Sequence, residues 1–325
     1  MMNGLYNTTT LLFKHPDDTA DMATLKKYMA LANPLYWPAW LGIGILWLII
    51  QLPVRLRLKL GKGIGKLIYV FPSKLKHITT VNIKICFPEL SPEKQQKLAK
   101  DNFESLGIGV IEAAMAWWLP DEKLNHLFKV HGLEYVEQAF AKGKGIILLG
   151  PHFMCLEMAG RLLSAKYTFA VMYRPHKKKL IAFIMERFRQ KHYMQVIPRN
   201  RIRELIRALN NNVAIWYAYD VDAGRKSSVF APFFGVPTAS LTSVSRLVRM
   251  SNAAIVPISF YRRDDDFNYD VVLYPPIENL PTGDLQQDAT ILNQALERAI
   301  REKPEQYVWQ YKRFKTRPEG EPRVY

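Results

Sequence analysis

The residues of this chain best suited to proton transfer are a histidine and a glutamate that follow one apolar segment. His152 comes two residues after the run GIILLG at 145–150, and Glu157 follows His152 by five residues. An imidazole has an unperturbed pKa of about 6.5, so it can take up a proton near neutral pH, and a neighbouring carboxylate stabilises the imidazolium that forms. The two residues therefore predict a general base, His152, oriented by Glu157.

The spacing of this pair limits how the two side chains can meet. Residues five apart are separated by about 140° around an α-helix, so His152 must lie in the turn before a helix and Glu157 in its first turn. An acid at this distance from a histidine is also common by chance, and a capping histidine with a surface glutamate is the alternative interpretation. The position directly after an apolar run favours catalysis, because ligands bind beyond the carboxyl ends of strands in open α/β sheets.

Apolar runs and amphipathic stretches alternate along the chain and predict the elements that position these residues. Short continuous apolar runs are typical of strands buried on both faces, and they cover 145–150, 169–173, 213–219, 255–260 and 270–274. Helical spacing of apolar residues covers 92–118, 180–192, 202–209, 240–250 and 288–300. This alternation predicts an α/β fold with a mainly parallel mixed sheet flanked by helices.

Further polar residues follow the predicted strands and are expected at the same edge of the sheet. Arg174 follows the second strand, Asp220 and Asp222 follow the third, and Arg189 lies on the helix after Arg174. The chain has no G-x-S-x-G nucleophile motif and no Gly-rich phosphate loop, so the activated oxygen would belong to the substrate. No metal-ligand spacing occurs, and neither a metal nor a cofactor is expected.

The charge and the two cysteines restrict the partners and the compartment. The 45 Lys and Arg against 29 Asp and Glu give a net charge of +16, which favours nucleic acid, anionic lipid or an acidic carrier protein. Cys86 and Cys155 are too few for a disulfide framework, so a reducing cytosol is expected, with both thiols as packing groups.

The N-terminal region predicts attachment to a membrane. No charged residue occurs between 28 and 54, and we predict a tail at 1–33 followed by a transmembrane or membrane-anchoring helix at 34–54. Eight Lys or Arg and no acid lie between 55 and 84, which places the domain at 55–325 on the cytoplasmic side of a single-pass protein. A buried core helix and an interfacial or re-entrant helix are the alternatives.

The pattern H-x-x-x-x-[DE] after a buried strand resembles the signature of glycerolipid-type acyltransferases. Over almost the whole chain after 54, the sequence is similar to the late acyltransferases of lipid A biosynthesis, the lauroyl or myristoyl transferase family. The segments that carry this resemblance are NIKICFPEL at 82–90, NFESLG at 102–107, MAWW at 115–118, YRP at 173–175, WYA at 216–218, D-x-D-x-G at 220–224, SSVF at 227–230, PFF at 232–234, PEQY at 304–307 and RFKTRPEG at 313–320.

The resemblance implies an enzyme of lipopolysaccharide biosynthesis in the bacterial inner membrane, an acyltransferase of groups other than aminoacyl groups. Such enzymes move a fatty acyl chain from acyl carrier protein, or from acyl-CoA, to the hydroxyl of a 3-hydroxyacyl chain on a Kdo-bearing lipid A precursor. It implies that His152 and Glu157 are the catalytic pair. Arg189 and Asp220 match positions important for activity in substrate binding or site architecture, Asp222 belongs to the same motif, and Arg174 is a candidate phosphate or carrier contact.

Several alternatives stay open at this stage. The F-P-E-G-T-R-S block of glycerolipid enzymes is replaced here by the stretch 220–230, which argues against a glycerol-phosphate acceptor. A lauroyl donor fits the resemblance better than a myristoyl donor, and a lysophospholipid or glycolipid acyltransferase is the nearest rival. Five apolar side chains could line an acyl groove or simply pack in the core: Phe153, Met154, Phe230, Phe233 and Phe234. A nucleic-acid-binding scaffold would leave the residues at the strand ends unexplained, so no nucleic-acid partner is expected.

Overall fold

The computed structural model describes residues 31, 33–174, 176, 178–264 and 268–325. Within these ranges the chain forms nine strands. They are β1 (Phe128–His131), β2 (Ile146–Gly150), β3 (Ala170–Tyr173), β4 (Gln195–Pro198), β5 (Ala214–Ala218), β6 (Ser228–Phe233), β7 (Val236–Leu241), β8 (Ala254–Arg262) and β9 (Tyr269–Leu273).

Seven of these strands form one mixed sheet in the order β1-β9-β8-β2-β5-β3-β4, and β6 and β7 form a separate antiparallel hairpin. Within the seven-stranded sheet only the β8–β9 pair is antiparallel. The central strands β2 and β5 are buried along their whole length, which explains their continuous apolar sequences. The predicted α/β fold with a mainly parallel sheet flanked by helices is therefore confirmed.

Helices flank the sheet and also form the N-terminal region. In the described ranges they are α1 (Trp37–Ile49), α2 (Val54–Val70), α3 (Lys74–Cys86), α4 (Pro92–Trp118), α5 (Leu133–Ala141), α6 (Leu156–Ser164), α7 (Lys179–His192), α8 (Ile202–Asn210), α9 (Ser243–Ser251) and α10 (Leu285–Glu302). The local sequence determines where several of these helices begin. The Ser91 hydroxyl caps α4 ahead of Pro92, and the Asp284 carboxylate accepts the Gln286 N–H at 2.8 Å at the start of α10.

The long helix α4 is held to the sheet by a buried charged network. Arg262, at the end of β8, donates to both carboxylate oxygens of Glu112 at 3.0 Å and to the Ser105 hydroxyl at 2.9 Å. The Tyr269 hydroxyl donates to Glu112 at 2.9 Å. Because all the donors converge on one carboxylate, the network compensates the cost of burying its charge and fixes the rotation of α4.

Helices α2 and α4 approach each other through glycine. A Cβ atom added at Gly107 would lie 2.5 Å from Gly65 N and closer still to Gly61 O, so the two backbones meet where no side chain intervenes. The third glycine of α2, Gly63, has open space around it. The sequence GKGIG at 61–65 therefore combines two packing glycines with one that makes no contact.

The N-terminal region differs from the expectation. The chain divides between Ile45 and Leu46 into two compact units, and this boundary lies within α1. None of the helices described is both long enough and apolar enough to cross a membrane. The transmembrane helix expected over 34–54 is therefore not found: α1 ends at Ile49, and Pro53, which cannot continue a helix, stands before α2. The predicted tail lies almost entirely outside the described residues.

The glycine contact between α2 and α4 predicts opposite effects of two identical substitutions. Gly107→Ala forces backbone atoms apart and should lower the free energy of unfolding by about 1–3 kcal/mol. Gly63→Ala adds a methyl group in open space and should raise it by about 0.5–1 kcal/mol through helix propensity. Urea unfolding of the two purified variants beside the unmodified protein gives both values, and equal effects of the two changes would contradict the packing described.

Candidate active site

The site forms where two neighbouring parallel strands end. Gly150, the last residue of β2, pairs with Ala218, the last residue of β5. His152 and Asp220 each stand two residues beyond this pair, so the register brings them to corresponding positions at the carboxyl edge of the sheet. Sequence reasoning placed both residues at this edge without recognising that they face each other.

The Asp220 carboxylate holds His152 by two hydrogen bonds. His152 Nδ1 lies 2.7 Å from Asp220 Oδ1, and the backbone N–H of His152 donates to Oδ2 at 2.9 Å. The Tyr307 side chain also acts on this carboxylate and lowers its pKa. Asp220 has only 3% of its side chain exposed, whereas 39% of the His152 side chain is exposed. An ionised carboxylate only accepts, so Nδ1 carries the proton, and Nε2 is the nitrogen able to take up another.

The pairing raises the pKa of His152 and lowers the pKa of Asp220. Burial lowers the pKa of His152, but the charge and hydrogen bond of Asp220 outweigh it and raise the pKa above 6.5. Burial raises the pKa of Asp220, but the charge of His152 and the hydrogen bonds from His152 and Tyr307 outweigh it and bring the pKa below 3.8. Near neutral pH the site therefore holds an ionised carboxylate beside an imidazole that binds protons more strongly than usual.

Glu157 has a different partner from the one expected. It lies in the first turn of α6, as predicted, but its carboxylate pairs with Arg189 on α7 and lies 3.5 Å from Trp117 Nε1 on α4. The prediction that Glu157 orients His152 is therefore corrected. The physical reason is the β2–β5 register, which supplies His152 with a closer carboxylate, while Glu157 points toward α4 and α7.

The pair of Glu157 and Arg189 is largely withdrawn from solvent, with 19% and 18% of the side chains exposed. Aromatic rings lie beside it: Trp117 stacks on Phe188 with ring centroids 6.1 Å apart. Arg189 also acts on the imidazole, because its positive charge lowers the pKa of His152. The two charged pairs are therefore electrostatically coupled.

A segment near the C-terminus completes the site. Phe153 and Tyr307 form an antiparallel bridge, the N–H of Met154 donates to Gln306 O at 2.8 Å, and the N–H of Val308 donates to His152 O at 3.0 Å. This pairing fixes the turn that carries His152 and brings the Tyr307 hydroxyl to Asp220. The sequence PEQY at 304–307 is one of the segments that carry the family resemblance, but its pattern predicted no part in the site.

Two other predicted residues lie apart from the imidazole. Arg174 is exposed at the end of β3. The Asp222 carboxylate accepts the Thr316 N–H at 2.7 Å and the Thr316 hydroxyl at 2.9 Å, so it binds the C-terminal segment. The structure thus brings together His152 and Asp220, places Glu157 with Arg189, and leaves Arg174 and Asp222 at separate points of the same edge.

Three of the five residues predicted for an acyl groove or the core are buried, whereas Met154 and Phe230 are half-buried. Phe153, Phe233 and Phe234 are buried in the core, and the rings of Phe233 and Phe234 are 5.0 Å apart. A small cavity of about 40 Å³ lies beside the charged pair, and its lining includes Glu157, Gly160, Phe169, Val171, Arg189 and Trp216.

Neither a thiol nucleophile nor a metal cluster is found at this edge. Cys155 is buried, and burial raises the pKa of its thiol, so it stays protonated as a packing group. In the parts of the chain that the structure describes, no three His, Cys, Asp or Glu side chains converge where a metal ion could bind.

Comparison with known proteins shows the family. The model of the bacterial lipid A biosynthesis acyltransferase family matches residues 25–316. The chain is 38% identical to lipid A biosynthesis lauroyltransferase of Escherichia coli K12, over 94% of this chain and 100% of that protein. It is 37% identical to the palmitoleoyltransferase of the same organism, over 90% and 96%, and 24% identical to its myristoyltransferase, over 90% and 91%. The chain therefore belongs to this acyltransferase family, and it is an enzyme that transfers acyl groups.

The pairing of Glu157 with Arg189 predicts strong energetic coupling. Glu157→Leu alone leaves a buried arginine without its counter-charge and should lower the free energy of unfolding by about 3–5 kcal/mol. Arg189→Leu alone should have a similar cost, and the double variant should cost much less than the sum because no unpaired charge remains. Urea unfolding of the four proteins measures the coupling, and additive losses would show that the two side chains do not depend on each other.

Proposed function

We propose, from the membership of this chain in the bacterial lipid A biosynthesis acyltransferase family, that it transfers a lauroyl chain from acyl carrier protein to a lipid A precursor. The acceptor is the hydroxyl of a 3-hydroxyacyl chain on a Kdo-bearing precursor. The observation that carries this proposal is the hydrogen-bonded pair of His152 and Asp220 at the carboxyl edge of β2 and β5. A thioester is already activated, so the reaction needs a base for the hydroxyl rather than a metal or a nucleotide.

In this proposal His152 is the general base. Its Nε2 takes the proton from the acceptor hydroxyl as the oxygen attacks the thioester carbon, and the resulting imidazolium is stabilised by Asp220 at 2.7 Å. When the tetrahedral intermediate collapses, the carbon–sulfur bond breaks and the imidazolium returns the proton to the departing thiolate. No covalent acyl-enzyme is required.

Glu157 acts through Arg189 as a positioning residue. The charge of Arg189 lowers the pKa of His152, whereas the pairing with Glu157 offsets that charge. Loss of Glu157 would leave an uncompensated cation near the imidazolium that forms in the transition state, and would also free the Arg189 side chain. Glu157 is therefore required for full activity without touching His152.

The relatives favour a lauroyl or palmitoleoyl donor over a myristoyl donor. The chain resembles the lauroyl and palmitoleoyl enzymes at 38% and 37% identity and the myristoyl enzyme at 24%. A lauroyl donor is accordingly preferred over a myristoyl donor.

The proposal includes a location at the cytoplasmic face of the inner membrane, and the surface of α2 supports it. Leu56, Leu60 and Leu67 are exposed on this helix, and its basic residues include Lys59 and Lys62, while it carries no acid. Exposed leucines beside lysines suit a helix lying in the interface of an anionic bilayer, where the lipid acceptor lies.

The raised pKa of His152 predicts the pH dependence of the reaction. The base must be neutral to act, so kcat/KM should fall as pH decreases through the pKa of His152, which lies above 6.5. Asp220→Asn removes the charge that raises this pKa, so the acidic limb should move to lower pH while the plateau falls by about 10²–10⁴-fold.

A matched pair elsewhere in the chain provides the control for this measurement. Asp270 on β9 lies 2.9 Å from His131 on β1, and Asp270→Asn removes a carboxylate from a histidine without touching the site. Its pH profile should coincide with that of the unmodified protein. An unmoved acidic limb in the Asp220→Asn variant would exclude His152 as the titrating base.

Mass spectrometry of lipid A tests the proposed function directly. Cells that lack this protein should accumulate a precursor short of one acyl chain, and the mass increase on restoring the gene should equal a lauroyl group. The His152→Ala variant should not restore it. A myristoyl increment would identify the other donor, and unchanged lipid A with altered phospholipids or glycolipids would favour a different acceptor.

A further inference from the structure

An open basic cavity lies beside the segment that follows β5. Its volume is about 550 Å³, and its lining includes Arg225, Lys315, Arg317 and Arg323 together with Glu319 and Glu321. Four cations against two carboxylates leave a surplus of positive charge. No residue that sequence analysis assigned to a substrate lines it, and it does not contain His152.

Three contacts hold residues of the cavity lining in place. The Asp222 carboxylate holds Thr316 by its N–H and its hydroxyl. Arg317 donates to Pro237 O at 2.9 Å and pairs with Glu321. The wall then turns at Gly320, whose φ of 79° lies in the left-handed region, in a turn closed by the Glu321 N–H and Pro318 O.

The charges available to a ligand are those that are not already paired. Arg317 is neutralised by Glu321, whereas Arg225, Lys315 and Arg323 are exposed and have no ion-pair partner among the residues described. Arg225 extends over the ring of Phe230, with its guanidinium carbon 5.8 Å from the centroid. Two arginines and a lysine around a concavity provide the donors that a phosphate group accepts, including bidentate donation from arginine.

The cavity is connected to the catalytic pair through the exit of β5. Asp222 stands two residues after Asp220, so their Cα atoms can be no more than about 7 Å apart. The Thr316 N–H that lies 2.7 Å from the Asp222 carboxylate belongs to the cavity wall. The cavity wall and the catalytic pair are therefore held by carboxylates that leave the same strand end two residues apart.

We propose that this cavity, formed by Arg225, Lys315 and Arg323 on the wall fixed by Asp222, binds a phosphate group of the acceptor lipid. The assignment rests on the proposed function, in which the acceptor is a phosphorylated glycolipid. An acidic carrier protein is the other anionic candidate. Its docking would need a surface of roughly 800 Å² on each partner, whereas a cavity of about 550 Å³ is the size of a site for a small group.

The test compares charge removal with phosphate removal. In the double variant Arg225→Gln/Lys315→Gln, two unpaired cations of the cavity become neutral. Equilibrium binding of the purified lipid A precursor and of the same lipid treated with phosphatase is measured in mixed detergent micelles. We expect the variant to bind the phosphorylated lipid about tenfold more weakly or worse, and the dephosphorylated lipid as the unmodified protein does.

A charge-matched control separates this effect from net charge. Lys142 and Lys144 precede β2, and hence lie at the opposite edge of the sheet from His152. The double variant Lys142→Gln/Lys144→Gln loses the same two charges and should bind both lipids normally.

Steady-state kinetics of the cavity variant Arg225→Gln/Lys315→Gln provide a second measurement. They should show a raised KM for the acceptor, an unchanged KM for the acyl carrier protein thioester, and the kcat of the unmodified protein.

Two results would overturn the assignment. An equal loss of affinity for both lipids would show that the cavity does not recognise phosphate. A raised KM for the carrier-bound donor, absent with acyl-CoA, would show that the cavity docks the carrier. Failure of the proposed function would give a different result. The unmodified protein would not acylate the precursor, whereas its binding of the two lipids could still be measured and compared.

Discussion

The hydrogen bond between His152 and Asp220 is the contact on which the rest of the site depends. It exists because β2 and β5 are parallel neighbours and Gly150 pairs with Ala218. A shift of one residue in this register would move the carboxylate along the strand by about 3.3 Å and out of reach of Nδ1. The buried strands that look structural in the sequence therefore determine the chemistry, since they align two loops that are 68 residues apart in the chain.

Three carboxylates at or near this edge each pair with one basic side chain. Because each carboxylate is occupied, it does not pair with the basic partner of another. Glu112 is committed to Arg262, Glu157 to Arg189 and Asp220 to His152. Arginine stays charged at any relevant pH, whereas histidine titrates near neutrality. The first two pairs are therefore permanent and fix helices α4, α6 and α7, while the third can gain and lose a proton.

The sequence predicts much of this structure and misses contacts between distant segments. The run GIILLG and the polar residues after it identify β2 and place His152 at a strand end, because burial on both faces leaves a clear apolar signature. The partner of His152 was not predictable, since Glu157 is five residues away in the chain and Asp220 becomes a neighbour only through the strand register. A helix does lie within the predicted segment at 34–54, at Trp37–Ile49, but no described helix is long and apolar enough to cross a membrane.

In the proposed reaction the exit of β5 links catalysis to recognition. Asp220 and Asp222 are separated by one residue, yet the first carboxylate holds the His152 imidazole and the second anchors the segment that carries Lys315 and Arg317. The preceding C-terminal segment pairs with the backbone of the turn that carries His152, because the Val308 N–H donates to His152 O. The same C-terminal chain therefore fixes the turn that carries the proposed base and supplies the basic wall that we propose for the phosphate of the acceptor.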